Sequence, residues 1–277
     1  MPAPAWTARA SRRTTATADV NVITSPSNPA VRAARKLARP SARARLGGQF
    51  LLEGPEGIRE ALAAGHLPAT VLAALAATTT PQGLVAVVPS MLKALDDLPA
   101  APRLVCVLAE VRDPGNAGTV IRSADAFGAD AVATTSGSVD PQSPKAARAA
   151  AGSLFHLPVV AGVPWPDLRA ALRERRLRLV GADPHAPATV DAAPLDRPIA
   201  LVLGNEAHGL PDAVRDDLDL VVRVPLTGRA ESLNLAAAAA VLLYETARRQ
   251  RGPANRPPRA GRRAVHPDRP QETAVGR

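Results

Sequence analysis

The sequence predicts an α/β fold built around a parallel sheet. From residue 104 onward it reads strand, turn, helix, repeatedly. Several strand candidates, such as Leu104 to Leu108, are continuous apolar runs, the pattern of a strand buried on both faces. Apolar residues make up 46% of 277 positions, so the chain is long and apolar enough to bury a sizeable core. Much of that apolar content is alanine, which points to closely packed helices.

Taken in order, residues 1–20 are rich in Ala, Thr and Arg without periodicity and are expected to be disordered. Residues 21–100 read as a small α/β unit. Asn28-Pro29 opens a helix through Val31, Ala34 and Leu37. Phe50 to Leu52 is a short strand, Glu56 to Ala64 a helix, and Thr70 to Leu75 a second strand. Thr80-Pro81-Gln82-Gly83 is turn chemistry before an apolar strand, Leu84 to Val88. Asp96 to Arg103, with two prolines, reads as a linker. Strands are then expected at 104–109, 130–134, 157–160, 178–182, 199–203 and 221–224. Helices are expected at 116–127, 144–151, 166–176, 210–216 and 231–248. Residues 251–277, with repeated Pro, Gly and Arg, are expected to be a disordered tail.

Charge is segregated. Residues 1–45 carry nine Lys/Arg against one acid, residues 248–277 nine Arg against two, and the middle of the chain is net acidic. Basic ends suit contact with a polyanion, or serve as solubilising tails. With only six Phe, Trp and Tyr residues, stacking on aromatic platforms cannot dominate a nucleic-acid contact. Cys106 is the single cysteine, which excludes an intrachain disulfide and a cysteine-rich zinc site. No apolar stretch is long enough to span a bilayer, and Arg9, Arg12 and Arg13 precede no apolar signal segment. A soluble, reducing, cytoplasmic setting is the default expectation.

Ligands of such sheets bind at the carboxyl ends of strands. Three loops there have unusual composition. Asp113-Pro114-Gly115-Asn116 opens a helix that carries Arg122 within an otherwise small and apolar run. A capped turn accounts for the Pro, Gly and Asn but not for Arg122. Leu203-Gly204-Asn205-Glu206-Ala207-His208-Gly209 places a carboxylate between glycines after a buried strand. His208 has no second metal ligand at helical or turn spacing and reads as an incidental loop residue. Glu206 either serves a site or caps the next helix. Val224-Pro225-Leu226-Thr227-Gly228, then Glu231-Ser232-Leu233-Asn234, precede an alanine-rich helix. Ser232 suffices as an N-cap, which leaves Asn234 without a structural purpose.

In order and spacing these three segments resemble the motifs of the SpoU/TrmH family of RNA ribose 2′-O-methyltransferases, in the SPOUT superfamily. The resemblance covers roughly 104–248. Ser136 to Pro141, with Lys145, Arg148 and Gly152-Ser153, is also similar to this family. Ser27-Asn28-Pro29, Leu52-Glu53-Gly54 and Thr80 to Gly83 resemble the L30e-like RNA-binding domain that precedes many members. The resemblance implies a SPOUT methyltransferase domain whose C-terminal segment forms a trefoil knot, a homodimer, S-adenosylmethionine as methyl donor and RNA as substrate. Ribosomal RNA is expected first and transfer RNA second.

Under the resemblance, Thr134, Leu203, Gly204, Asn205, Val224, Leu226, Ser232 and Leu233 would hold the cofactor. Arg122, Asn116, Glu206, Ser232 and Asn234 would form the catalytic group. Arg32, Arg35, Lys36, Lys145 and Arg148 would contact RNA, and no metal is implied. Family proposals make the first-motif arginine, here Arg122, a general base. Because guanidinium stays protonated, fixing a phosphate and stabilising developing alkoxide is the better role. Asn116 would orient Arg122 or the ribose. A Rossmann-type methyltransferase would need a G-x-G-x-x-G loop after the strand at 104–109, and Val111 to Asn116 does not supply one. A non-catalytic RNA-binding protein of the same fold would have no use for all five polar residues together.

Overall fold

The computed structural model describes residues 29–39, 43, 48–66, 70–72 and 85–251. The expected disorder at 1–20, the turn at 80–83 and the tail beyond 251 lie outside the described residues.

The N-terminal part contains helix α1 (Pro29–Lys36), strand β1 (Gln49–Glu53), helix α2 (Pro55–Ala63), strand β2 (Thr70–Leu72) and strand β3 (Val85–Pro89). The three strands form an antiparallel sheet in the order β1-β3-β2. Strand alternation gives that sheet two apolar faces. Leu51, Val85 and Val87 pack with Val31, Ala34 and Leu37 of the α1 segment. Phe50, Leu52, Ala86 and Val88 point the other way and join the core of the larger unit.

The larger sheet has eight strands, all paired in parallel. In chain order they are β4 (Leu92–Lys93), β5 (Leu104–Leu108), β6 (Ala131–Thr135), β7 (Val159–Val163), β8 (Arg178–Ala182), β9 (Ala188–Thr189), β10 (Ile199–Leu203) and β11 (Leu220–Arg223). Their spatial order is β4-β7-β6-β5-β10-β8-β11-β9. The connecting helices are α3 (Pro114–Phe127), α4 (Pro144–Ala150), α5 (Trp165–Glu174), α6 (Asp212–Arg215) and the C-terminal α7 (Leu235–Arg251). Strands β5, β6 and β10 are buried at every position, as continuous apolar runs require. On one face Cys106, Leu108, Leu201 and Leu203 meet α3, α4 and α7. On the other Val105, Val107, Ala200 and Val202 meet Leu168 and Leu172 of α5 and Val214 of α6.

Every strand and helix expected between 104 and 248 is present, with ends shifted by a few residues. Two short strands were not anticipated. Strand β4, next to the expected linker, pairs with β7, and β9 pairs with β11. The final helix starts at Leu235 rather than at 231. Among the described residues no helix is long and apolar enough to cross a membrane.

Helix α3 owes its position to both ends and to one glycine. Asp113 is its N-cap, accepting from the Asn116 backbone N–H at 2.8 Å, and Pro114 fills the first turn. Gly128 closes it in the left-handed conformation at φ 76°, and the Ala129 N–H returns to the Ala124 carbonyl at 2.8 Å. Gly118 lies where α3 crosses α4. A methyl group there would overlap the Ala146 carbonyl and stand 2.7 Å from Ala149 Cβ. We expect Gly118→Ala to destabilise the chain by about 1–3 kcal/mol, the usual cost of overpacking a close contact. Urea denaturation measures it, and an unchanged midpoint would mean that the two helices separate freely.

Candidate active site

Strands β5 and β10 lie side by side at the middle of the sheet. The chain leaves β5 toward β6 on one side and leaves β10 toward β11 on the other. Adjacent strands whose connections diverge open a crevice at their carboxyl ends. The loops after β5 and β10 begin in that crevice, and the segment after β11 leads to α7.

The first loop is held in an unfavourable conformation. Glu110 has φ 55°, which costs a residue with a side chain about 1–2 kcal/mol. Both neighbouring loops hold it there. Its N–H donates to Thr135 Oγ1 at 3.0 Å, and its carbonyl accepts from Asn205 Nδ2 at 2.8 Å. Asn205 also closes its own loop. Its N–H donates to the Gly209 carbonyl at 2.7 Å and its carbonyl accepts from the Gly209 N–H at 2.9 Å, while Oδ1 accepts from the Ala207 N–H at 2.9 Å. Gly204 is buried beneath this closure, and a side chain there would collide with the Gly209 backbone.

The carboxylate of Glu206 joins the two loops. Oε1 accepts from the Asp113 N–H at 3.1 Å and from Asn116 Nδ2 at 3.2 Å, and Oε2 accepts from the Arg112 N–H at 3.3 Å. Asn234 adds the third segment by donating Nδ2 to Asn116 Oδ1 at 3.1 Å. Asn234 is also the cap of α7, because its Oδ1 accepts from the Ala236 N–H at 2.9 Å. The sequence reading gave the cap to Ser232 and left Asn234 without a structural purpose. Ser232 is instead exposed, two positions before Asn234, with no hydrogen bond among the described residues. A β11-to-α7 connection long enough to reach Asn116 places the helix start three residues past the first capping candidate.

Asn116, Glu206 and Asn234 therefore form one hydrogen-bonded chain, and Arg122 stands outside it. Arg122 is exposed on α3, and its side chain makes no hydrogen bond or ion pair among the described residues. Asn116 does not orient Arg122: its side-chain amide serves Glu206 and Asn234, and six residues of helix separate the two by roughly 9 Å along the axis. Thr134 is buried in β6 with Oγ1 accepting from the Gly162 N–H at 3.0 Å, and Leu203 is fully buried. Val224 is half-buried against the core, while Leu226 and Leu233 are 39% and 38% exposed. Arg32, Arg35 and Lys36 line the exposed side of α1. Lys145 pairs with Asp113 at 3.1 Å, and Arg148 with Glu53 at 2.5 Å. His208 Nδ1 lies 3.2 Å from Asn205 Oδ1. Among the described residues no group of three or more His, Cys, Asp or Glu gathers as a metal site. The sequence reading missed the roles of Asp113 and Thr135. Asp-Pro at the start of a helical run was a legible cap signal, but Thr135 had none.

Partial burial works against a charge on Glu206. Its own backbone N–H, the Asn116 amide and the N–H groups of Arg112 and Asp113 outweigh that and hold the carboxyl below the ordinary glutamate range. Such a group contributes stability above its unfolded pKa and loses it as pH falls through the lowered folded value. We expect Glu206→Gln to be less stable than the parent at pH 7 in urea denaturation, with the gap narrowing as pH drops below about 4. A gap independent of pH would mean that the charge does not hold the loops together.

The comparisons agree with this geometry. The model of the SpoU rRNA Methylase family matches residues 103–244. An uncharacterized tRNA/rRNA methyltransferase of Synechocystis is 34% identical over 87% of this chain and 98% of its own length. The 23S rRNA (guanosine(2553)-2′-O)-methyltransferase RlmP of Bacillus subtilis is 37% identical over 69% of this chain and 75% of its own. The crystal structure of the SpoU methyltransferase AviRb from Streptomyces viridochromogenes in complex with AdoMet superposes with a TM-score of 0.74. It is 29% identical and covers 81% of this chain and 99% of that one. Sequence match, shared architecture and three motif segments meeting at one crevice place the chain in a single family: it belongs to the SpoU rRNA methylases.

Proposed function

We propose that this chain transfers a methyl group from S-adenosylmethionine to a ribose 2′-hydroxyl of ribosomal RNA, in the cytoplasm. The observation that carries the reading is the hydrogen-bonded chain Asn234–Asn116–Glu206, which joins all three motif loops where β5 and β10 diverge.

The residues present fit the methyl donor. Leu226 and Leu233 hold apolar side chains in solvent beside the crevice loops, an arrangement that a flat apolar ring would cover. With Thr134, Leu203, Gly204, Asn205, Val224 and Ser232 they form the proposed cofactor cradle, to which Thr134 and Leu203 contribute backbone, since their side chains are buried. Bound there, S-adenosylmethionine supplies an electrophilic methyl on a sulfonium. The protein must align the hydroxyl oxygen with that methyl and accommodate the charge that develops as the hydroxyl proton leaves. Asn116 and Asn234 position the ribose. Glu206, ionised, fixes Asn116 and is too weak a base to take a hydroxyl proton efficiently. Arg122 carries a permanent charge with no side-chain partner among the described residues, which suits it to grip the neighbouring phosphate and steady a developing alkoxide.

Residues 21–100 act, in this reading, as an L30e-like RNA-binding domain, with Arg32, Arg35 and Lys36 on phosphates and Lys145 and Arg148 nearer the catalytic unit, 104–248. The C-terminal segment is read as knotted. The family resemblance supports this, as does the return of α7 from β11 to pack against α3. A homodimer is supported by the exposed Val241 and Tyr244 on α7. Tyr244 meets Phe127 of α3 edge-on at 5.7 Å, so the face adjoins the α3 stripe of Thr119, Arg122 and Ala126.

Incubation with labelled S-adenosylmethionine and total RNA, followed by mapping of ribose methylation, tests the reaction. Label is expected in large-subunit ribosomal RNA; label confined to transfer RNA would reassign the substrate. Arg122→Ala is expected to lower kcat by about 10²–10³, as loss of a charge-stabilising donor does, with cofactor affinity unchanged by calorimetric titration. Near-normal turnover would remove Arg122 from the reaction. Replacing Arg32, Arg35 and Lys36 together by Gln is expected to weaken binding to a ribosomal RNA transcript and flatten its salt dependence by roughly one unit of slope per lost contact. Undiminished affinity would take α1 out of the RNA surface.

A further inference from the structure

The first turn of α3 gathers two carboxylates. Glu206 accepts from the Asp113 N–H and the Asn116 side-chain amide, and the Asp113 side chain caps the helix through Oδ1. A helix N-terminus favours negative charge, but two carboxylates at one turn also repel each other. Where Asn116 stands therefore depends on what holds Asp113. The second oxygen of Asp113, Oδ2, accepts from Lys145 Nζ at 3.1 Å. Lys145 also lies across Gly115: a methyl group on Gly115 would stand 3.5 Å from Lys145 Cε and 3.8 Å from Nζ. The lysine thus meets the start of α3 along its stem as well as at its charged head.

The backbone that carries Lys145 is fixed from three sides. Lys145 is the second residue of α4. The loop before α4 is tied to the end of β5 and the loop after it: the Val139 N–H donates to the Val111 carbonyl at 2.8 Å, and Ser138 Oγ to the Leu108 carbonyl at 3.0 Å. The middle of α4 lies against Gly118, whose missing side chain makes room for the Ala146 carbonyl. Its last turn is held by the N-terminal unit, where Glu53 meets Arg148 at 2.5 Å. The side chains of Lys145 and Asp113 are 58% and 43% exposed, and exposed ion pairs contribute little to global stability. Val120, Ile121 and Ala124, all fully buried, hold α3 on the sheet. What the pair sets is the placement of the first turn of α3.

We propose, resting on the reaction assigned above, that Lys145 is a positioning residue for the methyl transfer: from a fixed α4 it holds Asp113, and through Asp113 it sets the Asn116–Glu206–Asn234 chain in the crevice. Lys145 lies outside the three motif loops and acts on the ribose only through Asn116. A misplacement of about 1 Å at a reacting centre costs up to about 100-fold in rate, so a small shift of Asn116 registers in turnover before it registers in stability. An ammonium has three N–H donors, and Asp113 takes one. The others remain available to an RNA phosphate, and the two roles separate kinetically. Loss of a phosphate contact lowers RNA affinity, whereas loss of positioning lowers turnover even at saturating RNA.

The test uses the full chain, labelled S-adenosylmethionine and a 23S ribosomal RNA transcript. Lys145→Met keeps the stem and removes the charge. It is expected to lower kcat about tenfold at saturating RNA, with S-adenosylmethionine affinity by calorimetric titration and the thermal melt matching the parent's. Lys145→Arg, which restores a cation, should recover most of that loss. Asp113→Asn keeps a capping side chain and loses the ion pair. It should lower kcat by a similar factor, and the double variant of Lys145→Met with Asp113→Asn should lose no more than either alone. A raised KM with unchanged kcat would make Lys145 an RNA contact only, and additive losses would mean that it acts elsewhere; either overturns the proposal. Amide hydrogen exchange of the free chain needs no turnover. Faster exchange in Lys145→Met is expected at Asn116, whose N–H donates to the Asp113 carboxylate, and not throughout α4. Unchanged exchange at Asn116, or exchange raised along all of α4, overturns the positioning role whether or not the parent methylates the transcript. A silent parent with the expected exchange pattern counts against the proposed reaction alone.

Discussion

Three loops from strands that are far apart in sequence become one site through the carboxylate of Glu206. Its two oxygens accept the Arg112 and Asp113 N–H groups and the Asn116 amide. Those backbone groups lie at the start of α3, where helical N–H groups lack intrahelical partners and a negative charge is favoured. Glu206 thus acts as a cap supplied from a different strand. Once it is in place, Asn116 can accept from Asn234, and Asn234 in turn fixes where α7 begins. The strained Glu110 backbone is tolerated because Thr135 and Asn205 hold it from the neighbouring loops. The crevice geometry is therefore a property of the central strand pair rather than of any single motif.

The same logic of borrowed partners joins the N-terminal unit to the larger one. Arg43 is buried, with its guanidinium on Asp140 at 2.5 Å and on the Leu37 carbonyl at 2.8 Å. Glu53, at the end of β1, meets Arg148 of α4. His156 stands 2.7 Å from Asp125 and 3.3 Å from Glu60, which together raise its pKa against the opposing effect of burial. Removing one partner of a fully buried pair costs about 3–5 kcal/mol, and less where, as with Asp140, one side reaches solvent. Phe50 and Leu52 share a core with α4 and the large sheet, so the two units pack as neighbours with an apolar seam between charged clasps.

Much of this was legible in the sequence for definite reasons. Five-residue apolar strands and helices with three-to-four spacing carry strong periodic signals, and β5, β6, β10 and α3 are placed where those signals lie. Strands β4 and β9 have two residues each, too few for any period. Asn116, Glu206 and Asn234 stood out as polar residues at strand ends, and the structure brings them together. The cap was assigned to Ser232 because local capping rules do not see a tertiary partner, and it was Asn116 that selected Asn234. The resemblance offers Arg148 as an RNA contact, and nothing in the sequence reveals that it pairs with Glu53, ninety-five positions away.

That last distinction governs how charge should be read in this chain. A basic residue in the sequence is only a potential contact; folding decides which cations are already neutralised. Here folding gives about half of the arginines of the net-acidic middle a carboxylate partner, Arg148 and Arg215 among them, and leaves Arg122 without one among the described residues. Arg122 lies on the helix that begins at the crevice loops. If free charge marks where a polyanion binds, Arg122 grips the substrate backbone while the crevice loops position the ribose. A chain so poor in aromatic side chains then reads its RNA through phosphates and shape, with little base stacking.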